Sequence, residues 1–445
     1  MKNTSPINGR CSATRRAVRA RVDWWKVCAE VWEKTQGIVV AKIYTGEGTD
    51  ARRFNATQLH HADFDFTDSE TGYLTHGLHP YPAKFIPQIP DVLIRELSSE
   101  GDTVADVFCG SGTTLVEALI LNRNAIGFDA NPLACLITKA KTTRFAPGDK
   151  ANLRSLVAKS EDQAYEVANA GKTLFHPSEV FISAAPRPSG ETLGFWFEPF
   201  VVEELAEILS WCKALPTESA RTVGLVAFSS IVVVSSKQDS DTRYVRREKN
   251  VVPGETMTRF ARALKSALIA VDEFSGRIRP DLSCQVVHAN ILEQPPSRSF
   301  DLMVCSPPYP NAFSYHLYHM TRMVWLGMDQ PKFKRQEIGS HRKYSAKGPN
   351  GATAQTFQNE MRTILNWLRD RLKPGGFACF VVGDSTIRRE RVNNADLIAA
   401  AGHCEGFSEV ARPTRRLQTT KKAFNPVIGK IKEEKILILQ NRGAI

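Results

Sequence analysis

The 445-residue chain reads as an α/β protein: a mostly parallel sheet with helices on both faces, interrupted by a mostly helical inserted domain. Three observations carry this. Short apolar strands alternate with helical stretches from 103 to 141, and again from 283 onwards. A glycine turn, Gly110-Ser111-Gly112, joins the first strand to the first helix. Between residues 142 and 281 the alternation stops and helical spacing takes over. The chain therefore divides into an N-terminal extension (1–70), a first αβ part (71–141), an inserted region (142–281) and a second αβ part (282–445).

Hydrophobic residues make up 42% and charged residues 24%, which allows a sizeable core. The net charge of +11 comes from 58 basic against 47 acidic side chains. Such a surplus points to a polyanionic partner, nucleic acid before membrane. Nine dispersed cysteines without a C-x-x-C pair imply reduced thiols in a cytosolic compartment and no zinc site. The longest apolar stretch, Val223 to Val234, is too short to cross a bilayer and contains Ser229 and Ser230. The basic start (Arg10, Arg15, Arg16, Arg19, Arg21) lacks the apolar core of a signal peptide. Asp23 and Glu30 argue against a mitochondrial presequence. Trp24, Val27, Val31 and Trp32 at helical spacing predict an amphipathic helix over 22–34, packed on the main domain.

In chain order, His76 to Pro87 is too proline-rich for regular structure at first. It forms an apolar loop with Tyr81 and Lys84, and a helix runs on to Leu97. Thr103 to Asp106 is a strand that enters the glycine turn after Val107-Phe108-Cys109. A helix follows from Thr113 to Leu121. The turn lacks the full G-x-G-x-x-G of dinucleotide sites. The next strand, Ala125 to Phe128, nevertheless ends at Asp129, about 20 residues past the glycines, where a ribose-gripping acid belongs. The set is that of a nucleoside-bearing cofactor site, with a purely structural βαβ unit as the alternative. Another helix covers Pro132 to Lys141.

In the inserted region, 151–170, 199–215, 218–236 and 256–274 are candidate helices. The third is rich enough in β-branched residues to be a strand. The polar run from Ser235 to Arg247 carries Arg243, Arg246 and Arg247 among amide and aromatic groups. Those types suit phosphates and base edges, or a solvated loop.

The αβ rhythm resumes with a strand from Ser283 to Asn290; Asn290 is placed to meet an adenine edge. The run Phe300 to Cys305 is a buried strand, and Ser306-Pro307-Pro308-Tyr309 must end it, because neither proline can continue the ladder. That stiff turn offers free carbonyls, the Ser306 hydroxyl and the flat Tyr309 ring, which suits a planar group bearing an NH2, with an ordinary proline-rich turn as the alternative. A helix is predicted over 313–326, with His316 and His319 packing or meeting DNA. The basic segment 332–347, with Lys334, Arg335, Arg342 and Lys343, reads as a mobile loop in the path of a nucleic-acid backbone or a plain surface loop. An amphipathic helix (357–372), a Lys373-Pro374-Gly375-Gly376 turn, a strand (377–382), a helix (394–401) and two final strands (407–410 and 436–439) complete the chain.

Taken together, these motifs resemble the S-adenosylmethionine-dependent DNA methyltransferases of the exocyclic-amine type, and within them the cytosine-N4 group. The residues that carry the resemblance are Asp106 to Thr113, Asp129, His79 to Phe85, Ser306 to Tyr309 and Leu372 to Gly376. It covers about 71–141 and 282–445. The family's usual acid near the third strand is Asn290 here. The resemblance implies a Rossmann-like methyltransferase sheet and S-adenosylmethionine as methyl donor. It implies a cofactor site of Tyr81, Lys84, Asp106, Phe108, Gly110, Ser111, Gly112, Thr113, Asp129 and Asn290. The catalytic loop would be Ser306, Pro307, Pro308 and Tyr309, and the inserted region a place for target recognition. Double-stranded DNA is the implied partner, met by Arg243, Arg246, Arg247, Lys334, Arg335, Arg342 and Lys343. A restriction nuclease encoded nearby is a further implied companion.

In this reading the Ser306 hydroxyl and Pro307 carbonyl accept the hydrogens of a cytosine amine, and Tyr309 stacks on a base turned out of the duplex. No metal and no covalent enzyme intermediate are required. Carbon-5 chemistry lacks its cysteine, since no Pro-Cys dipeptide occurs; Cys109 and Cys305 read as small buried residues. Ser306 in place of aspartate favours cytosine over adenine N6. Other readings are RNA methylation, protein-amide methylation (disfavoured because residue 306 is not asparagine) and a non-catalytic nucleic-acid-binding protein on the same scaffold.

Overall fold

The computed structural model describes Leu59 and residues 62–84, 86–170, 181–189, 192–310, 313–346, 351–417 and 432–443. The chain splits into two compact units, Met1–Arg53 and Phe54–Ile445, and all described residues belong to the second. The expected helix over 22–34 and the Arg10–Arg21 cluster lie outside the described residues.

The first αβ part contains α1 (Gln88–Leu97), β1 (Thr103–Asp106), α2 (Thr113–Ile120), β2 (Asn124–Asp129) and α3 (Pro132–Lys141). The second holds β5 (Cys284–His288), β6 (Phe300–Cys305), α13 (Ala354–Arg371), β7 (Leu372–Gly383), α14 (Asn394–Cys404), β10 (Phe407–Ala411), β11 (Thr414–Arg416) and β12 (Glu433–Asn441). They form one eight-stranded sheet in the order β10-β12-β7-β6-β1-β2-β5, with β11 also on β12. Pairings from β5 to β7 are parallel; β12 is antiparallel to β7, β10 and β11. Strand order reverses between β1 and β6, and at such a switch point ligands bind beyond the strands' carboxyl ends.

Each face of the sheet has its own apolar layer. Leu93, Leu115, Val116 and Phe274 cover one side with Val104 and Val304. Phe357, Met361, Ile364 and Leu368 of α13 cover the other with Met303 and Phe380. Their spacing along α13 is the i, i+4, i+7 stripe of a half-buried helix, and Thr353 caps its start with a reciprocal Thr353–Thr356 box. The predicted turn at Lys373 to Gly376 takes up a register shift between β6 and β7; the observed β7 continues through it.

The inserted region forms a separate core from α4 (Asp149–Asn169), α5 (Thr192–Trp196), α6 (Pro199–Lys213), α7 (Glu218–Ser235) and α8 (Glu255–Arg277). The β-branched 218–236 stretch is a helix, not a strand: Thr217 caps its start and burial on several sides selects its composition. At 18 residues α7 has the length and composition to cross a membrane, contrary to expectation, but 61% of it is buried inside the protein. Residues 235–247 form a small antiparallel hairpin, β3 (Gln238–Ser240) and β4 (Arg243–Arg246).

Two expectations for the segment after β6 need correction. The 313–326 helix is broken into α9 (Tyr315–Tyr318) and α10 (Met320–Leu326). The basic 332–347 loop contains two short helices, α11 (Gln330–Gln336) and α12 (His341–Ser345), with Phe333 and Tyr344 buried. Asp329 caps α11 through the Lys332 amide, and those two aromatic anchors supply the packing that a mobile loop would lack. A second unanticipated hairpin, β8 (Ser385–Ile387) and β9 (Glu390–Val392), follows β7.

Candidate active site

β1 and β6 are adjacent and parallel, so the turns leaving them emerge side by side. A cleft of about 300 Å³ opens there, lined by Phe108, Gly110, Ser111, Asp129, Asn290 and the whole Ser306–Tyr309 turn, among others. The volume is that of a small-molecule site. The sequence motifs, nearly 200 residues apart, thus share one cavity.

On the glycine-turn side, Asp129 is fixed by backbone donors. The Gly110 amide donates to Oδ2 at 2.9 Å and the Asn131 amide to Oδ1 at 2.8 Å. Each oxygen retains a lone pair for a hydroxyl. Burial raises the carboxyl to about 6, against these two bonds. Gly112 sits at φ 80°, and a Cβ there would lie 2.7 Å from the Thr138 side chain; only glycine lets α2 begin so close to α3. Thr113 lines the cleft, whereas Gly112 and Asp106 do not. Asp106 is buried beneath the turn, accepting from the Phe108 amide at 3.0 Å, and burial raises it to about 7. It shapes the turn from below. Asn290 reaches the cleft with its amide engaged locally: it donates to Glu293 at 2.8 Å and accepts from the Leu292 amide at 3.2 Å.

The 79–84 segment forms one wall. Tyr81 stacks on Tyr315, with centroids 5.7 Å apart, and on His319 at 5.0 Å. His319 is therefore a packing residue. His316 is held by Glu337, with Nδ1 at 2.6 Å from Oε2. Lys84 Nζ donates to the His76 carbonyl at 3.1 Å, and burial lowers its pKa. Behind it, His76 and Tyr73 both meet Glu117 at 2.7 Å. Burial pushes Glu117 up to about 8 and His76 down to about 2, opposing charge on both groups.

On the side of the Ser306–Tyr309 turn, the Ser306 hydroxyl donates to the Val381 carbonyl of β7 at 3.0 Å. Its one hydrogen is spent, and its oxygen is left as an acceptor. Tyr309 lines the cleft, with its hydroxyl raised by burial and by Glu434. Gly339, at φ 71°, presses on this loop: a Cβ would fall 2.6 Å from the Pro308 carbonyl oxygen and 2.8 Å from that of Tyr309.

The basic residues lie elsewhere. Arg243 and Arg247 pair with Asp239, and Arg246 with Glu248. The hairpin carrying them docks on α9 and α10: Gln238 donates to the Tyr318 carbonyl, Thr321 donates to Gln238, and Arg322 pairs with Asp241. Lys334, Arg335 and Arg342 are exposed, and Lys343 pairs with Glu360. Sequence reasoning did not find Tyr315, Glu337, Gly339, Arg415 and Glu434 as cleft residues. Only the tertiary fold brings them there, although the glycine at 339 within a basic segment was a visible cue.

Residues 6–140 match the family model described as DNA methylase, N6_N4_Mtase. The Type II methyltransferase M.MvaI of Kocuria varians is 28% identical over 280 residues, 59% of this chain and 60% of its own. M.BsoBI of Geobacillus stearothermophilus is 25% identical over 291 residues, 58% and 54% of the two chains. M.MjaII of Methanocaldococcus jannaschii is 43% identical over a shorter span of 70 residues, 16% and 13%. The chain spans at most 60% of the length of these relatives. With these motifs in this order on this sheet, the chain is similar to the DNA methyltransferases of the exocyclic-amine type.

Proposed function

We propose that the protein methylates the N4 amine of cytosine in duplex DNA, with S-adenosylmethionine as donor. One observation carries this: the Ser306 turn opens into the same cleft as Gly110 and Asp129, with the Ser306 oxygen left as an acceptor.

The cleft fits the donor. Asp129 has lone pairs left for ribose hydroxyls. The turn at Gly110 and Ser111 lets backbone approach closely, and Lys84 supplies a cation suited to a carboxylate. When bound, the donor supplies a sulfonium-activated, strongly electrophilic methyl group.

The protein's task is the nucleophile. The amine lone pair of cytosine is delocalised into its ring, and two acceptors on the amino hydrogens favour a pyramidal nitrogen. Ser306 Oγ and the Pro307 carbonyl are those acceptors, and both sit on a turn too stiff to need reorganisation. After transfer the amine loses one hydrogen as a proton. A base inside a duplex cannot reach such a cleft, so it must be rotated out, with Tyr309 as its stacking surface. Approach along the phosphates falls to the exposed Lys334, Arg335 and Arg342, together with Lys343 and the β3–β4 arginines.

Mass spectrometry of nucleosides tests this directly. Unmethylated DNA incubated with protein and S-adenosylmethionine should yield N4-methylcytosine. N6-methyladenine alone would reassign the target, and no methylated nucleoside would refute the activity.

A further inference from the structure

The cleft carries an ion pair that neither donor binding nor the Ser306 turn uses. Arg415 on β11 and Glu434 on β12 are register partners in the antiparallel hairpin. Both line the cavity along with Tyr309. Arg415 Nη1 donates to Glu434 Oε2 at 2.9 Å, and the two side chains are only 11% and 14% exposed. Glu434 lies near enough to Tyr309 for its charge to act on that hydroxyl.

Burying an ion pair costs desolvation unless its remaining donors are satisfied. Arg415 Nε is buried and makes no hydrogen bond among the described residues. A guanidinium presents Nε–H and Nη2–H along one edge as two parallel donors. The bond from Nη1 to Glu434 fixes the guanidinium plane, and the Nε–H of that edge has no partner among the described residues.

A cytosine held by its amine at Ser306 still shows two adjacent acceptors on the same edge, N3 and O2. In a closed cavity, leaving them unpaired is costly. Two parallel donors match them. An adenine placed by its amine shows N1 and then a C–H, so one donor would stay unpaired.

We propose that Arg415, held by Glu434, reads the N3/O2 edge of the target cytosine and makes an amine-directed site cytosine-selective. The proposal rests on the methyl-transfer reading above.

The test uses the full chain, S-adenosylmethionine and unmethylated genomic DNA, with N4-methylcytosine and N6-methyladenine quantified separately. The double variant R415Q/E434Q keeps the pair as neutral amides. It should lose at least about tenfold in N4-methylcytosine formation and gain in the share of N6-methyladenine, with donor affinity within about twofold of wild type. Arg415→Lys keeps the charge but not the parallel donors, and should fail to restore selectivity. A structural role alone would lower both products together and would be rescued by lysine. A folded double variant with wild-type cytosine rate or an unchanged product ratio overturns the proposal and leaves methyl transfer standing. Should the double variant not fold, wild-type selectivity in R415K overturns it instead. A wild-type protein yielding only N6-methyladenine removes this role together with the cytosine assignment, and one yielding neither product removes the methyl-transfer reading on which both rest.

Discussion

The Ser306 hydroxyl donates to the Val381 carbonyl at 3.0 Å, tying the Ser306–Tyr309 turn to the neighbouring strand. The contact does two things. It fixes the rotamer, and it commits the only hydrogen the side chain could have pointed at a substrate amine. Ser306→Ala should therefore lower single-turnover methyl transfer by about 10²–10³-fold while calorimetry shows donor affinity unchanged. A rate close to wild type would remove Ser306 from the chemistry.

Asp129 gives a pH signature. Its carboxyl is raised to about 6 by burial in the free protein, and ribose hydroxyls need the ionised form as acceptor. Donor affinity should be flat above about pH 7 and fall as pH drops through about 6. Binding near pH 5.5 should release a proton, visible as a buffer-dependent enthalpy. Asp129→Asn turns an amide NH2 towards the Gly110 or Asn131 amide. It should weaken binding by roughly tenfold or more and abolish the pH dependence.

Gly339 is jammed against the carbonyls of Pro308 and Tyr309. Gly339→Ala forces either the 337–340 segment or the Ser306–Tyr309 turn to move. We expect a loss of about 1–3 kcal/mol in stability by thermal melting. The methyl-transfer rate should fall while donor affinity is preserved. A variant with normal melting and normal rate would show that the turn tolerates displacement.

The β8–β9 hairpin turns through Arg388 and Arg389, at φ 51° and 74°. Two consecutive left-handed residues are the signature of a turn that prefers Asn-Gly. Arg388→Asn with Arg389→Gly should raise stability by about 1 kcal/mol, read as a higher melting temperature. A lower one would mean that these arginines make compensating contacts.

What the sequence disclosed depended on how local the physical cause was. Two consecutive prolines remove two ladder donors in a row, so the exit from β6 at Ser306 was legible, whereas the single Pro374 lies inside β7. Asp129 follows from a strand, a turn and a helix in succession, each with its own periodicity. The buried anchors of α11 and α12, Phe333 and Tyr344, were hidden in a segment dominated by lysine and arginine, and charge suggested mobility where two aromatic contacts impose order. Arg415 was harder still. Its strand, Thr414–Arg416, has three residues and no apolar alternation, and its importance comes only from pairing with Glu434 across the β11–β12 register. Asn290 and Asp106 show the converse: both were named from motif position, yet one is engaged in its own turn and the other lies under the glycine loop.

The buried guanidinium of Arg322, on α10, donates to the Ser229 carbonyl of α7 at 2.8 Å and pairs with Asp241 between β3 and β4. His79, in the 79–84 wall, reaches the Ser229 hydroxyl at 3.0 Å. The helical block is therefore not a detachable cassette. A chimera that imports residues 142–281 from a relative must also import residues matching 79 and 322, or strand a desolvated cation at the joint. Recombination among such proteins would be channelled accordingly: a new helical block can spread only together with the short stretches of the αβ part that grip it.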